Sequence, residues 1–562
     1  MINKLSFVFS FLILLVTFSL VGFQNTATSA VPLDIYAVPA ITDYKLLPTS
    51  QIPSYFLSDS ISIKATPGEF EPVSFVIHAN TDINSLAITS SDLTGNEFTI
   101  PGSNVDIRIV KCWYQGGYLF DPYAHGKYLT PELLLKDDSL IKVTGDNFAL
   151  TDSSNPIGNN YLKLTNGIYE DISSSTIKPS EFFEISILER PVKDSPTLQP
   201  VNIREGYNKQ IWVTIHVPEW GNPGNYTGII TLKEGLHTLK EIKINLQVLP
   251  IILSKPSMEY SIYYRGRISD QGTISSELKT KEQYTAEMKN LLDHGVTNPH
   301  IIFTPTAESC VQIFSIRNTV GMNCTNLYIT GLYLDSASEI PYYRNVTAPY
   351  AVKNIYVYGL DEQNINDPVN RTKMTNIHNS GGKVMNAQTE FLADLVADIL
   401  DLAVVNEKPS KELAHKYHKY GHKVFSYGNP QVVPEYPRLF RLNYGLSLWQ
   451  NDYDGAMVFA YQCSYCDIWN DFDHPIYRDH VFAYPTMNGV IDTVQWEGFR
   501  EGVDDVRYMT TLQNTILEAK AQGKDTTEAE RYIENLKTTD LTDQDLDVIR
   551  SEMTGYILEL QN

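Results

Sequence analysis

The hydrophobic pattern of this chain changes period once, near Lys255, and that change constrains the fold more than any single motif. Upstream, Ile211, Val213, Ile215 and Val217 alternate with Trp212, Thr214 and His216, and Ile242, Ile244, Leu246 and Val248 repeat the rhythm. Period-two alternation puts one face of a strand in a core and the other in water. Short runs of this kind, broken by Gly, Pro, Asn and Asp, fill 31–255 and predict an antiparallel β-sandwich. PEWGNPGNY is a long turn between two of them, and the Ser-, Asn- and Lys-rich stretch over about 144–200 predicts loops with few strands.

Downstream, strands alternate with helices, the pattern of a parallel sheet. EYSIYYRG predicts a first strand. KEQYTAEMKNLLDHG follows as a helix with Tyr284, Met288, Leu291 and Leu292 on one face and Gly295 as its stop. NPHIIF, LYITGLYL, IYVYGL, KVFSYG, GLSLWQ and AMVFAYQ are further strand candidates, with TEFLADLVADILDLAVV a helix between two of them. With HVFAYP or the run at Val490 as the last, about eight βα repeats give a (β/α)8 TIM-like barrel over 256–521. The remaining 522–562 predicts two helices that cap the barrel. One carries Ala529, Tyr532, Ile533 and Leu536, the other Leu546, Ile549, Met553, Tyr556, Ile557 and Leu560.

A chain of 562 residues exceeds one hydrophobic core. Its first 30 residues, with a lysine near the terminus, an apolar stretch from Leu5 to Phe23 and a small polar run ending at Ala30, read as a secretory signal. Cleavage near Ala30 gives a secreted or cell-surface protein; the apolar stretch is also long enough to stay as a membrane anchor. A net charge of −22 repels nucleic acid and anionic membrane surfaces. Five cysteines are too few for a disulfide framework. Cys310 paired with Cys324, and the C-x-x-C of Cys463 with Cys466, leave Cys112 odd, and for an exported chain a short local disulfide is the expectation rather than a redox or zinc motif. Asn225, Asn323, Asn345 and Asn370 open N-x-[ST] sequons. No metal or organic cofactor is expected; His415, His418 and His422 have ligand-like spacing but sit among lysines, as on a solvated helix end.

Asp361 and Glu362 form the chain's only Asp-Glu dipeptide, and they follow IYVYGL directly. Acid pairs also occur at Asp137/Asp138, Glu170/Asp171 and Asp504/Asp505, so position decides. Chemistry in a barrel sits at the C-terminal ends of the strands, and IYVYGL is the fourth. Two carboxyls there can divide acid/base work from charge stabilisation, the equipment of glycoside hydrolysis. Neighbours along a strand point to opposite faces, so both carboxyls enter one pocket only if the chain turns there.

GEFEPVSFVIHA, VKCWYQGG, LTPELLLKDDSL and QIWVTIHVPEWGNPGNYTGIITL resemble successive blocks of the N-terminal sandwich that accompanies glycoside hydrolase family 123-like catalytic domains. DHGVTNP, YVYGLDE and WEGFREGVDDVRYMTTL resemble blocks of the barrel half, in the expected order. The resemblance implies a hydrolase of terminal β-linked N-acetylhexosamine, of N-acetylgalactosamine type, that retains configuration by using the substrate's own 2-acetamido group as nucleophile. It implies that Glu362, held protonated by partial burial, is the acid/base and that Asp361 orients the acetamido N–H. The sequence departs from the pattern at Gln495, where many relatives have Arg, and at Leu360 and Gln363 beside the acids.

Aromatic and polar residues at other strand ends complete the candidate glycan site: Tyr264, Trp449, Tyr461 and Trp469 as sugar platforms, Arg265 and Gln450 as hydroxyl ligands, and Glu497, beside Arg500, as a weaker pocket residue. Two other readings fit the same sequence. One is a non-catalytic carbohydrate-binding or cell-envelope protein. The other is a hydrolase of neutral sugars, which needs a further carboxylate from another strand.

Overall fold

The computed structural model describes residues 32–562 apart from 96, 118–125, 146–157, 174–189, 270–274, 323, 434, 475 and 488. The leader, the Asn323 sequon and much of the Ser-rich middle stretch therefore lie outside the described residues.

The N-terminal half is two sheets around one core. Leu33–Val38, Phe70–Ala79, Asn208–His216, Val105–Gln115 and Tyr128–Leu135 form an antiparallel sheet in that order. Facing it run Val201–Ile203, Ile83–Ser90, Gly224–Glu234, His237–Val248 and Ser60–Ala65. The alternating residues meet between the sheets: Ile211, Val213 and Ile215 from one, Ile242, Ile244 and Leu246 from the other. The expected antiparallel pattern has one exception, since Ser60–Ala65 runs parallel to His237–Val248.

The second half is a curled parallel sheet. Its order is Glu259–Ile262, Gly455–Val458, Lys423–Ser426, Leu402–Val405, Lys383–Gln388, Asn354–Tyr358 and Asn326–Ile329. NPHIIF joins the two edges. His300 N–H donates to the Ile262 carbonyl at 3.0 Å, and Ile301 N–H donates to the Tyr328 carbonyl at 2.9 Å. Alternate residues then part company: Tyr356 and Tyr358 pack inside the curl, Ile355 and Val357 outside against the helices. Helix Lys281–Asp293 begins where Thr280 accepts the Gln283 N–H and buries Tyr284, Met288 and Leu291. Gly295 ends it at φ +82°, where a Cβ would also meet Val503 at 2.7 Å.

Several expected elements differ. GLSLWQ is not a strand; Leu446–Gln450 is a short helix following Pro437–Tyr444. The stretch read as one helix after Thr389 is helical only over Glu390–Asp394 and ends as strand Leu402–Val405, four buried aliphatic residues that a periodicity argument assigns to either structure. Lys383–Gln388 is a strand that the sequence reading passed over. HVFAYP and the Val490 run form short antiparallel pairs outside the parallel sheet. None of the five cysteines is in a disulfide. Cys463 packs inside the curl with Met457, whereas the Cys466 thiol faces the Asp473 carbonyl.

Helix Val494–Ala521 and the terminal helices Thr527–Leu536 and Leu546–Gln561 share the core that lies outside the curled sheet. Buried ion pairs tie them down: Arg550 meets Asp505 and Glu501, each at 2.7 Å, and reaches Glu71 of the N-terminal half at 3.2 Å. Lys411–His418 is a surface helix, with His415 and His418 turned to Asp452 and Asp454. Among the described residues no helix is long and apolar enough to cross a membrane, and no three potential ligand side chains converge as a metal site.

Candidate active site

The fourth strand position, Asn354–Tyr358, ends at Gly359. A Cβ there would lie 2.1 Å from the buried Asn386 side chain. The chain then turns within four residues: Gln363 N–H donates to the Leu360 carbonyl at 3.1 Å, leaving Asp361 and Glu362 as the two central residues. Glu362 has φ +50°. A side chain with a Cβ is held there at a cost of about 1 kcal/mol or more, and such conformations gather at functional sites. Its N–H is fixed to the Ala387 carbonyl on the next strand at 3.0 Å. Backbone atoms close this turn, so the unusual identities of Leu360 and Gln363 do not disturb it.

Both acids open into a cavity of about 730 Å³ at this end of the curled sheet. The Tyr358 hydroxyl donates to Asp361 Oδ1 at 2.6 Å, and the Tyr427 hydroxyl donates to Glu362 Oε1. Burial, then the bond to Glu362, pushes the Tyr427 phenol well above its usual range, so it remains a donor. Neither acid has a Lys, Arg or His ion-pair partner among the described residues. Both are exposed, against the partial burial expected for Glu362.

Tyr263, Phe459 and His480 line the inner part of the cavity. His480 Nε2 lies 3.2 Å from Gln431 Oε1. Burial, reinforced by Arg478, drives the His480 imidazole down to about 3, so it is neutral. Asp361 and Glu362 are the only carboxyl side chains among the described lining residues.

Of the other sequence candidates, Arg265 lines this cavity, with its guanidinium 2.6 Å from Glu277. The rest lie elsewhere. Tyr264 points outward and donates to Glu287 at 2.6 Å; its neighbour Tyr263 has the inward parity. Trp449 is buried among the outer helices, and Gln450 donates to the Leu536 and Thr539 carbonyls. Tyr461 is buried and donates to Asn290. Trp469 packs against Trp113 and Tyr484, where the two halves meet. Glu497 is buried; burial opposes its charge, but Arg500, with His294 and Arg108, holds it down to about 2. Gln495 is also remote, donating to Glu132 of the N-terminal half at 2.8 Å.

Sequence reasoning missed Tyr263, Tyr358, Tyr427, Gln431 and His480. A signal existed for two of them. In IYVYGL and KVFSYG the inward parity that selects Tyr356 and Phe425 also selects Tyr358 and Tyr427 at the strand ends.

No protein-family model matches the sequence, and no curated protein is similar to it. The fold defines a class: a two-sheet N-terminal half joined to a curled parallel sheet with an acid turn at its fourth strand position. In this architecture the chain resembles a family 123 glycoside hydrolase from Clostridium perfringens. The match has a TM-score of 0.61 at 11% identity and covers 94% of this chain and 97% of the other. That likeness is one of fold. A family 39 glycoside hydrolase from the gut symbiont Bacteroides cellulosilyticus aligns with a TM-score of 0.32 at 10% identity, over 55% of this chain and 75% of that one, too low to carry an argument.

Proposed function

We propose that the protein is an exported glycoside hydrolase that removes terminal β-linked N-acetylhexosamine, of N-acetylgalactosamine type, by a substrate-assisted retaining mechanism. The architecture in this reading is an antiparallel sandwich over 31–255, a (β/α)8 barrel over 256–521 and a helical tail over 522–562. One observation carries the mechanism: the cleft offers two carboxyls from a single turn and no third among its described lining residues. An ordinary retaining or inverting enzyme flanks the sugar with carboxyls about 5–9.5 Å apart on opposite sides. Adjacent acids of one turn approach from one side, so the opposite face of the anomeric carbon calls for a nucleophile from the substrate itself.

In this mechanism Glu362 donates a proton to the glycosidic oxygen while the acetamido oxygen attacks the anomeric carbon and the exocyclic bond breaks. Asp361 stays ionised, accepts a hydrogen bond from the acetamido N–H and stabilises the positive charge that spreads over the new ring. Glu362, now a carboxylate, takes a proton from the water that opens this ring, and the product keeps its configuration. A sugar seated on the turn would bury the Glu362 carboxyl. Tyr427 and Tyr358 orient the two acids through the bonds described above.

A panel of aryl β-glycosides with and without the 2-acetamido group tests this reading. Cleavage confined to acetamido sugars, blocked by a thiazoline mimic of the cyclic intermediate, is the expected result. Cleavage of neutral glycosides at comparable rates, or glycan binding with no turnover, contradicts it.

A further inference from the structure

The cavity is larger than one sugar ring needs. Its volume of about 730 Å³ is in the range, about 300–1,000 Å³, that encloses a whole drug-sized ligand. Its inner wall is made of buried groups: Tyr263, Tyr427 and His480 are each 5% exposed or less. Tyr333, on the loop after strand Asn326–Ile329, also lines the cavity but is 56% exposed. The cavity therefore has a closed end and an open lip, and Tyr333 is on the lip.

That exposure is built into the loop. Leu332 and Leu334, on either side, are 1% and 3% exposed, so burying both turns the residue between them outward. The loop is pinned on both flanks. Tyr358 N–H, on the strand that carries the acid turn, donates to the Leu332 carbonyl at 2.8 Å. Gly331 accepts from the Thr304 hydroxyl at 2.7 Å and packs so closely that a Cβ would lie 2.2 Å from the Thr304 nitrogen. A large ring held on a rigid loop at the lip of a cleft loses little freedom when a ligand stacks on it.

We propose that Tyr333 is a specificity-determining platform for the second sugar of the substrate, the ring on the leaving-group side of the scissile bond. This rests on the glycosidase reading above. A terminal sugar fills the closed end, and the acid turn addresses its glycosidic bond. Whatever follows that bond leaves through the lip, where the face of Tyr333 meets the apolar face of the next pyranose. The substrate class is thus an oligosaccharide or glycoconjugate with a ring-shaped penultimate residue.

The test compares two substrates with the same terminal sugar: a disaccharide, which has the second ring, and the glycosyl fluoride, which has none. In Tyr333→Ala, kcat/KM for the disaccharide falls about tenfold while that for the fluoride stays within about twofold, and Tyr333→Phe keeps disaccharide activity. Equal losses on both substrates, or no loss on either, overturn the platform. Saturation-transfer NMR with the disaccharide gives a readout independent of turnover. Transfer to the second ring disappears in Tyr333→Ala while transfer to the terminal ring persists. If that pattern holds in a protein that cleaves neither substrate, the platform stands and the hydrolase reading fails; unchanged transfer to the second ring overturns the platform whatever the turnover.

Discussion

The cleft and the seam between the two halves both concentrate ionisable side chains, but they do so in opposite ways. In the cleft, Asp361 and Glu362 stand exposed in a strained turn, their carboxyls bonded by tyrosine hydroxyls. At the seam acids are buried with arginines: Arg550 with Asp505, Glu501 and Glu71, Arg441 with Asp505, and Arg478 with Glu435 and Asp471. A carboxylate buried beside a guanidinium is out of a ligand's reach and serves the fold. An open carboxylate held by neutral donors can exchange a proton with a ligand. The difference separates chemistry from architecture among residues of one type, and it explains why Glu497, paired with Arg500, belongs to the architecture.

If the division holds, substitutions on the two sides change different observables. The largest effect is expected in the cleft: Glu362→Gln lowers kcat by about a thousandfold or more, while the thermal unfolding midpoint stays at the unaltered value. At the seam, Arg550→Met leaves Glu501 and Glu71 without their cation, with Asp505 keeping only Arg441, and lowers unfolding free energy by about 3–5 kcal/mol. Denaturant titration reads that loss, and kcat of the folded fraction stays within about twofold.

Seam acids also give stability a pH dependence. Burial, then the charge of Glu435, pushes Glu132 up to about 7 from an ordinary 4.5, against the hydrogen bonds it accepts from Gln495, Gln115 and Trp113. The folded state therefore holds this proton more tightly than the unfolded one. Its contribution is complete below about 4.5 and is lost as pH rises toward about 7, a change of order 1–3 kcal/mol. Unfolding curves across that interval are expected to be flatter for Glu132→Gln. Back in the cleft, Tyr427→Phe removes the hydroxyl that holds Glu362 and is expected to lower kcat about tenfold, with no change in the unfolding midpoint. The smallest effect belongs to Gln450→Ala, which removes a donor to the Leu536 and Thr539 carbonyls at the end of helix Thr527–Leu536 and costs about 1 kcal/mol of stability, with kinetics unaltered.

How far the sequence was legible follows the same line. The alternation at 211–217 and 242–248 was legible because it reports a burial that local geometry fixes. Four of the parallel-strand assignments differ: GLSLWQ is helical and HVFAYP lies outside the parallel sheet, while Lys383–Gln388 and Leu402–Val405 are strands. Short, wholly buried segments carry no periodicity to tell the two apart. The acid pair was legible because it follows a recognisable strand end. Gln431 and His480 were not, since closure of the curled sheet brings them to the cleft from segments about 70 and 120 residues further on. Trp449, Trp469 and Tyr461 misled because a large aromatic residue after a strand meets a core far more often than a ligand. The altered Gln495 proved unrelated to the cleft, being part of the Glu132 network at the seam.

Whether Glu362 works as acid and then base on a substrate that provides its own nucleophile is read from azide with Glu362→Gln and a 2,4-dinitrophenyl 2-acetamido-2-deoxy-β-glycoside, whose leaving group needs no protonation. Slow turnover that azide accelerates, with the β-glycosyl azide as product, is the expected result, because the cyclic intermediate forms but lacks the base that activates water. Hydrolysis at the unaltered rate, or formation of the α-azide by direct displacement, would contradict it.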